Sequence, residues 1–157
     1  MPVALRQNQS MAEYSQPRRP RRRPGENRAA LLEAAVAEFG RYGYHGASTA
    51  AIAAQADVPQ PHVYVHFATK GDLFLAALAH AYDSADRAER EGPQFDVHAV
   101  RRSESLMHLQ AVAVIGERGL SPQLSEAVSA RLGARGTSWH VEALERAAAA
   151  LLGQFKH

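Results

Sequence analysis

The stretch VPQPHVYVHFATK, residues 58–70, admits two readings, and the choice between them decides the fold. Val63, Val65 and Phe67 alternate with His62, Tyr64 and His66, the period-two pattern of a half-buried strand. Two prolines at its start are poor ladder partners, however, and nothing nearby reads as a second strand. Read instead as a short helix over 59–66, the segment makes sense of its prolines. Pro59 then sits at the cap and Pro61 in the first turn, where amide donors have no intrahelical partner to lose. Val63 and Phe67 fall four apart and face inward, while Gln60, His62 and His66 face outward with Tyr64 beside them. The helical reading is the expectation.

Working outward, the segments on both sides are helical too. Upstream, Ser48 is expected to cap a short helix over 48–56 with Ile52, Ala53 and Ala56 inward, ended by Asp57-Val58-Pro59. Two short helices across a tight turn make a helix-turn-helix. The second would present Gln, His and Tyr among small residues, which supplies donors and acceptors for base edges without bulk to hold the backbone out of a major groove. Before it, Asn27 is expected to cap a helix with Leu32, Val36, Phe39 and Tyr42 inward and Gly43 as its stop. After it, Thr69 with Asp72 three residues on approaches a capping box. That helix carries Leu73, Phe74, Ala77, Leu78 and Tyr82 on one face and closes at Gly92-Pro93. A helix over 97–116 becomes almost wholly apolar from Leu106 to Ile115 and reads as buried. Ser121-Pro122 then starts a helix with Leu124, Val128 and Leu132 inward. GARGTSW is expected to break it, and Ser138 to cap a last helix through Leu144, Ala148, Leu151 and Phe155. No segment reads convincingly as a strand, so the expected class is all-α.

Charge is placed unevenly along the 157 residues. Net charge is +2, but residues 1–30 carry seven arginines against Glu13 and Glu26, +5 in all, and the remainder carries eleven basic and fourteen acidic residues, −3. This is a basic arm on a mildly acidic body, and a polyanion is the natural partner of such an arm. Residues 1–24 are polar, hold four of the eight prolines and show no helical period, so they are expected to be disordered. Arg18, Arg19, Arg21, Arg22 and Arg23 lie in RRPRRRP. That run is either a solvated tail or an arm laid on phosphates or in a minor groove. There is no cysteine, hence no disulfide scaffold and no thiolate metal site. No apolar run reaches the ~18 residues of a membrane span, and the N-terminus lacks the apolar core of a signal peptide, so the expected location is cytoplasmic.

Catalytic patterns are missing from the sequence. There is no Ser/His/Asp spacing, no phosphate-cradling glycine loop and no metal set, so no enzyme, cofactor or metal is expected. His62 and His66 stand four apart as in metal-binding helices, but Val63 follows the first histidine where the zinc-protease pattern needs Glu, and no third ligand is signalled. Met107, His108 and Trp139 with the apolar 106–115 segment either line a pocket for a small molecule or pack as ordinary core.

RAALLEAAVAEFGRYGYHGASTAAIAAQADVPQPHVYVHFATKGDLF, residues 28–74, resembles the DNA-binding domain of the tetracycline-repressor (TetR) family of regulators, with the likeness running to about residue 78. It is carried by Phe39, Gly43-Tyr44, the Ile52-Ala53 pair, Val58, Tyr64, His66-Phe67, Lys70 and Leu73 in order and at family spacing. The resemblance implies that Ser48, Tyr64, His66 and Lys70 hold phosphates of double-stranded DNA, with Lys70 as a point charge at a helix start. It implies that Thr49, Gln60, Pro61, His62 and Val65 face the groove. It further implies repression of a promoter by a homodimer on a palindromic operator until a small-molecule effector loosens the grip. Three departures stand out: Asp57 where the turn usually has Gly, Pro59 where a Ser cap is frequent, and Ala50 where a longer polar residue often reads a base.

The expected organisation is a three-helix helix-turn-helix DNA-binding domain followed by a shortened helical regulatory domain. Its parts are a basic arm over 1–24, the DNA-binding domain over 25–85 with its motif at about 48–67, and a helical ligand-binding and dimerisation region over 86–157 that looks truncated against family members near two hundred residues. Either 97–155 supplies a different dimer face, or pairing is weakened. The alternative function is a DNA-binding or interaction protein that senses no ligand and pairs with another regulator.

Overall fold

A computed structural model describes residues 25–92, 96–118 and 120–153, and these form six helices with no strand among the described residues. They are α1 (Glu26–Gly46), α2 (Thr49–Gln55), α3 (Pro61–His66), α4 (Lys70–Glu91), α5 (Val97–Ala113) and α6 (Ser121–Gly153). The all-α expectation is met. The predicted arm, with its five arginines, lies outside the described residues, as do Pro93 and Phe155.

α1 forms because Leu31, Leu32, Ala35, Val36 and Phe39 recur at helical spacing and all are buried. Its cap is not Asn27. The chain enters through Gly25, whose φ of 90° is left-handed and which makes no side-chain cap bond, so Asn27 already lies within the first turn. Tyr42 was expected inside and is instead half exposed, with Arg41 stacked over its ring. The reason lies one residue on. Gly43 has φ 73° and ψ 175°, so the helical path breaks there and the next ring to turn inward is Tyr44. Tyr44 and Phe39 meet Phe74 edge-on at 5.3 and 5.0 Å between ring centres. Burying rings of this size stabilises the junction by about 1.5–3 kcal/mol each.

α4 runs along α1 and carries the longest buried stripe, from Leu73 and Phe74 through Ala77, Leu78, Ala81 and Tyr82 to Ala85 and Ala88. The predicted capping box is present. Thr69 Oγ1 accepts the Asp72 N–H at 3.0 Å, and Asp72 Oδ2 accepts the Thr69 N–H at 3.0 Å. Gly92, at φ 79°, ends the helix where expected. α5 is capped by Asp96, whose carboxylate accepts the Ala99 N–H at 3.0 Å.

The burial of α5 differs from expectation. Leu106, Leu109, Val112 and Ile115 are only half-buried, while Glu104, Ser105, Met107, His108 and Ala111 are covered. α6 bends at Gly136 (φ 82°, ψ 169°), inside the stretch expected to break. In its first arm Leu124 and Val128 are buried as expected, but Arg131 rather than Leu132 takes the next fully covered position. In the second arm Ala143 and Ala147 are buried, one residue ahead of Leu144 and Ala148. The covered Glu104, His108 and Arg131 each have polar partners on neighbouring helices.

Candidate nucleic-acid interface

α2 begins at Ser48, whose hydroxyl accepts the Ala51 N–H at 3.4 Å, and buries Ile52 and Ala53 against α1. The turn after it closes through bonds from Asp57 N–H to Ala54 O and from Val58 N–H to Ala53 O. Asp57 takes φ 54°, the left-handed conformation that short polar side chains tolerate better than others. α3 starts one residue later than expected. Gln60 is the cap and Pro61 the first helical residue, while Pro59 stands outside and lends its carbonyl to the His62 N–H at 2.9 Å. Val63 (1% exposed) and Phe67 (4%) anchor the back of α3, and the Arg28 guanidinium lies 5.3 Å over the Phe67 ring.

Gln60, Pro61, His62, Tyr64, Val65 and His66 are all exposed, Val65 at 76% being the barest large apolar side chain of the described residues. A bare valine between two histidines on a helix with a well-buried back is a poor surface for water and a good one for a thymine methyl. Ser48 is exposed and Thr49 half-buried. Thr49 Oγ1 lies 3.3 Å from Tyr64 Oη, which ties the start of α2 to α3.

Lys70 stands at the start of α4, as expected, and its side chain is held there by neighbouring groups. Its ammonium donates to Ala47 O at 2.7 Å and to His45 O at 3.4 Å, and lies 5.2 Å over the Tyr44 ring. Sequence reading also passed over Glu38. This carboxylate is 5% exposed, accepts the Ser48 N–H at 3.2 Å on Oε1 and the Gln55 side-chain amide at 3.1 Å on Oε2. A charged residue in register with Leu31 and Ala35 on the apolar face of α1 was the available signal. His62 and His66 belong to no group of three metal-ligating side chains among the described residues.

His108 and Trp139 belong to a polar seam between α4, α5 and α6, and Met107 precedes His108 on α5. Met107 and His108 are fully buried and Trp139 partly so, its ring edge-on to His108 at 4.9 Å. His108 Nδ1 is 2.7 Å from Tyr82 Oη and Nε2 is 2.7 Å from His140 Nδ1. Burial, then the nearby His140 and Arg131, lower the His108 pKa to about 4. A neutral ring donates at one nitrogen and accepts at the other, so His108 links Tyr82 and His140 in one chain of hydrogen bonds whose direction its tautomer sets.

Arg131 stacks over both Tyr82 and Trp139, pairs with Glu104, and donates to both Asp86 oxygens at 2.8 Å. Arg135 pairs with Asp86 and Glu89. Burial pushes the Glu104 pKa up against the pull of Arg131. For Asp86, burial also pushes upward, but the hydrogen bonds from Arg131 and Arg135 outweigh it and the pKa falls. Three clefts, of about 620, 270 and 400 Å³, open at the surface: the first by His98, Arg102 and Arg146, the second by Val36, His80 and Val100, and the third on the seam's own ion pairs, lined by Asp86, Glu89, Arg131 and Arg135.

A buried-backed exposed helix, preceded by a capped helix and a tight left-handed turn, defines a helix-turn-helix protein. Residues 31–77 match the model of the bacterial regulatory proteins of the tetR family. Over that segment the chain is similar to the TetR-family regulators. Over 57 residues it is 42% identical to the HTH-type transcriptional repressor SCO4008 of Streptomyces coelicolor, a match covering 36% of this chain and 30% of that repressor. The chain thus spans about a third of the length of the curated relative it matches. Among solved structures, a TetR family member from Streptomyces coelicolor A3 (SCO1917) is 26% identical, with a TM-score of 0.54 over 69% of this chain and 72% of that one. A structure described as that of a TetR-family transcriptional regulator from Mesorhizobium loti MAFF303099 shares the fold at 22% identity, with a TM-score of 0.53 over 85% and 72% of the two chains.

Proposed function

We propose that the protein binds duplex DNA sequence-specifically and regulates transcription in the cytoplasm, as a homodimeric repressor on a palindromic operator. The observation that carries this reading is the outer face of α3. Gln60, His62 and Val65 stand bare on a helix whose Val63 and Phe67 are buried, with Thr49 beside Tyr64 at the start of α2. Ser48, Tyr64 and His66 are assigned to phosphates, and Thr49, Gln60, Pro61, His62 and Val65 to the groove. The arginine run over 18–23 is assigned to an arm along the duplex, residues 25–85 to DNA binding and 86–157 to dimerisation and sensing. Release by a small-molecule effector completes the reading.

The second reading, a regulator that senses nothing and pairs with another protein, is favoured by one observation. Met107 is fully buried, His108 and Trp139 pack on polar and aromatic partners, and none of the three lines any of the three clefts. Selection of binding sites from a randomised duplex pool, with light scattering of the purified chain, separates the outcomes. A palindrome with half-sites about one helical turn apart, or a multiple of it, and a dimer mass support the first reading. A single half-site and a monomer mass support the second. No enrichment at all removes DNA recognition.

A further inference from the structure

The Ala47–Ser48 peptide immediately precedes α2, and both of its polar ends are held by charged side chains. Its carbonyl, Ala47 O, accepts from the Lys70 ammonium at 2.7 Å. Its amide, Ser48 N–H, donates to Glu38 Oε1 at 3.2 Å. Hydrogen bonds with one ionised partner are roughly twice as strong as neutral ones, and this peptide has two. The two charges come from different helices. Glu38 projects from α1, and its second oxygen takes the Gln55 side chain at the far end of α2, so one carboxylate spans that helix. Lys70 is the first residue of α4 and follows Thr69, whose capping box with Asp72 fixes the local backbone. Its second bond, to His45 O, places a cation against the last carbonyls of α1, where the helix dipole favours it.

We propose that Glu38 and Lys70 are positioning residues that clamp the Ala47–Ser48 peptide between α1 and α4, and that they serve DNA recognition by orienting Ser48 and Thr49 rather than by touching DNA. The inference rests on the DNA-binding reading above. Ser48 caps α2, and Thr49 touches Tyr64, so the peptide sets the angle at which α2 meets α3. The clamp also couples α4 to the reading surface. A shift of the first turn of α4 draws Lys70 away from Ala47 O and frees the start of α2. The amino group of Lys70 is already occupied by carbonyls and an aromatic face, which distinguishes it from exposed His66 and Tyr64.

The test uses the full chain, with Lys70→Met and Glu38→Leu as the variants and Glu38→Gln as the milder substitute should Glu38→Leu fail to fold. The first readout is the Ser48 backbone amide, by NMR in the absence of DNA. A clamp predicts that Lys70→Met shifts this resonance and speeds its hydrogen exchange, although the residue touches the opposite end of the peptide. The second readout is the salt dependence of binding to a random-sequence duplex. A phosphate ligand lost lowers the log–log slope by about 0.9, whereas a clamp lost leaves the slope at the wild-type value. The third is preference for a selected site over random duplex, expected to fall roughly tenfold in both variants, as loss of a charge-assisted bond implies. A Ser48 amide unmoved by Lys70→Met, with a reduced salt slope, overturns the clamp and makes Lys70 a phosphate ligand. Failure of the wild-type chain to bind any duplex sinks the DNA reading and leaves the Ser48 result standing, so the two failures are told apart.

Discussion

The side chains of Gln60 and His62 are exposed and sit on a helix whose opposite side is anchored by Val63 and Phe67, while the two residues hold the helix start through their backbone alone. A side chain in that position affects binding without affecting stability. Gln60→Ala or His62→Ala is therefore expected to leave the urea midpoint within about 0.5 kcal/mol of wild type. Either should change the preferred base at one position of each half-site at a cost of ~1–3 kcal/mol, read by repeating the site selection with each variant. An unaltered motif in both variants would remove the groove assignment. These residues were legible in the sequence because burial and exposure alternate within one turn of chain. The same holds for the Ser48 and Thr69 caps, whose partners lie three residues away. Lys70 and Glu38 were not legible in this way. The carbonyls that hold Lys70 are 23 and 25 residues upstream, and no local pattern reports them.

At the scale of elements, helix identity was readable and helix ends were less so. Periodic burial is a local property, but where a helix stops depends on what meets it. Gly43 shows this at the end of α1. Its backbone is in a region that only glycine occupies readily, and a Cβ there would sit 2.9 Å from Gln110 Oε1 on α5. Gly136 has nearly the same dihedrals, and a Cβ there would meet nothing within 4 Å. The two positions separate backbone strain from packing. Gly136→Ala is expected to cost ~1–3 kcal/mol through strain alone. Gly43→Ala should cost the same plus a contact term, and Gln110→Ala in that background should recover only the contact term. Urea unfolding of the four chains measures both. Equal stability of Gly136→Ala and wild type would mean that the bend in α6 is not imposed by its glycine.

Across the whole molecule, the apolar reading of 106–115 predicted an oily joint between α5 and its neighbours. The structure has a polar one. Tyr82 and Asp86 from α4, Glu104 and His108 from α5, and Arg131 and His140 from α6 meet in one seam. Tyr82 and His108 read as inward-facing, but their charged companions Asp86, Glu104 and Arg131 come one from each helix and look solvent-facing in their own windows, which is why the seam is invisible one helix at a time. Its acid response follows from His108. The unfolded ring takes a proton near pH 6.5, the buried one only near pH 4. Below pH 6.5 the unfolded chain therefore binds the extra proton, so stability is complete above that pH and declines as pH falls toward 4. The loss is on the order of 3 kcal/mol across that window. Glu104 opposes it, because a carboxyl with a raised folded pKa gains stability as pH falls. Asp86, with its pKa lowered, loses its contribution only at lower pH, as the pH falls below the ordinary carboxylate range. Absolute stabilities thus mix three groups, and the difference between wild type and His108→Gln isolates one. Urea midpoints at pH 7 and pH 4.5 should fall further in wild type than in the variant. A variant that is as acid-sensitive as wild type would place the titrating group elsewhere in the seam.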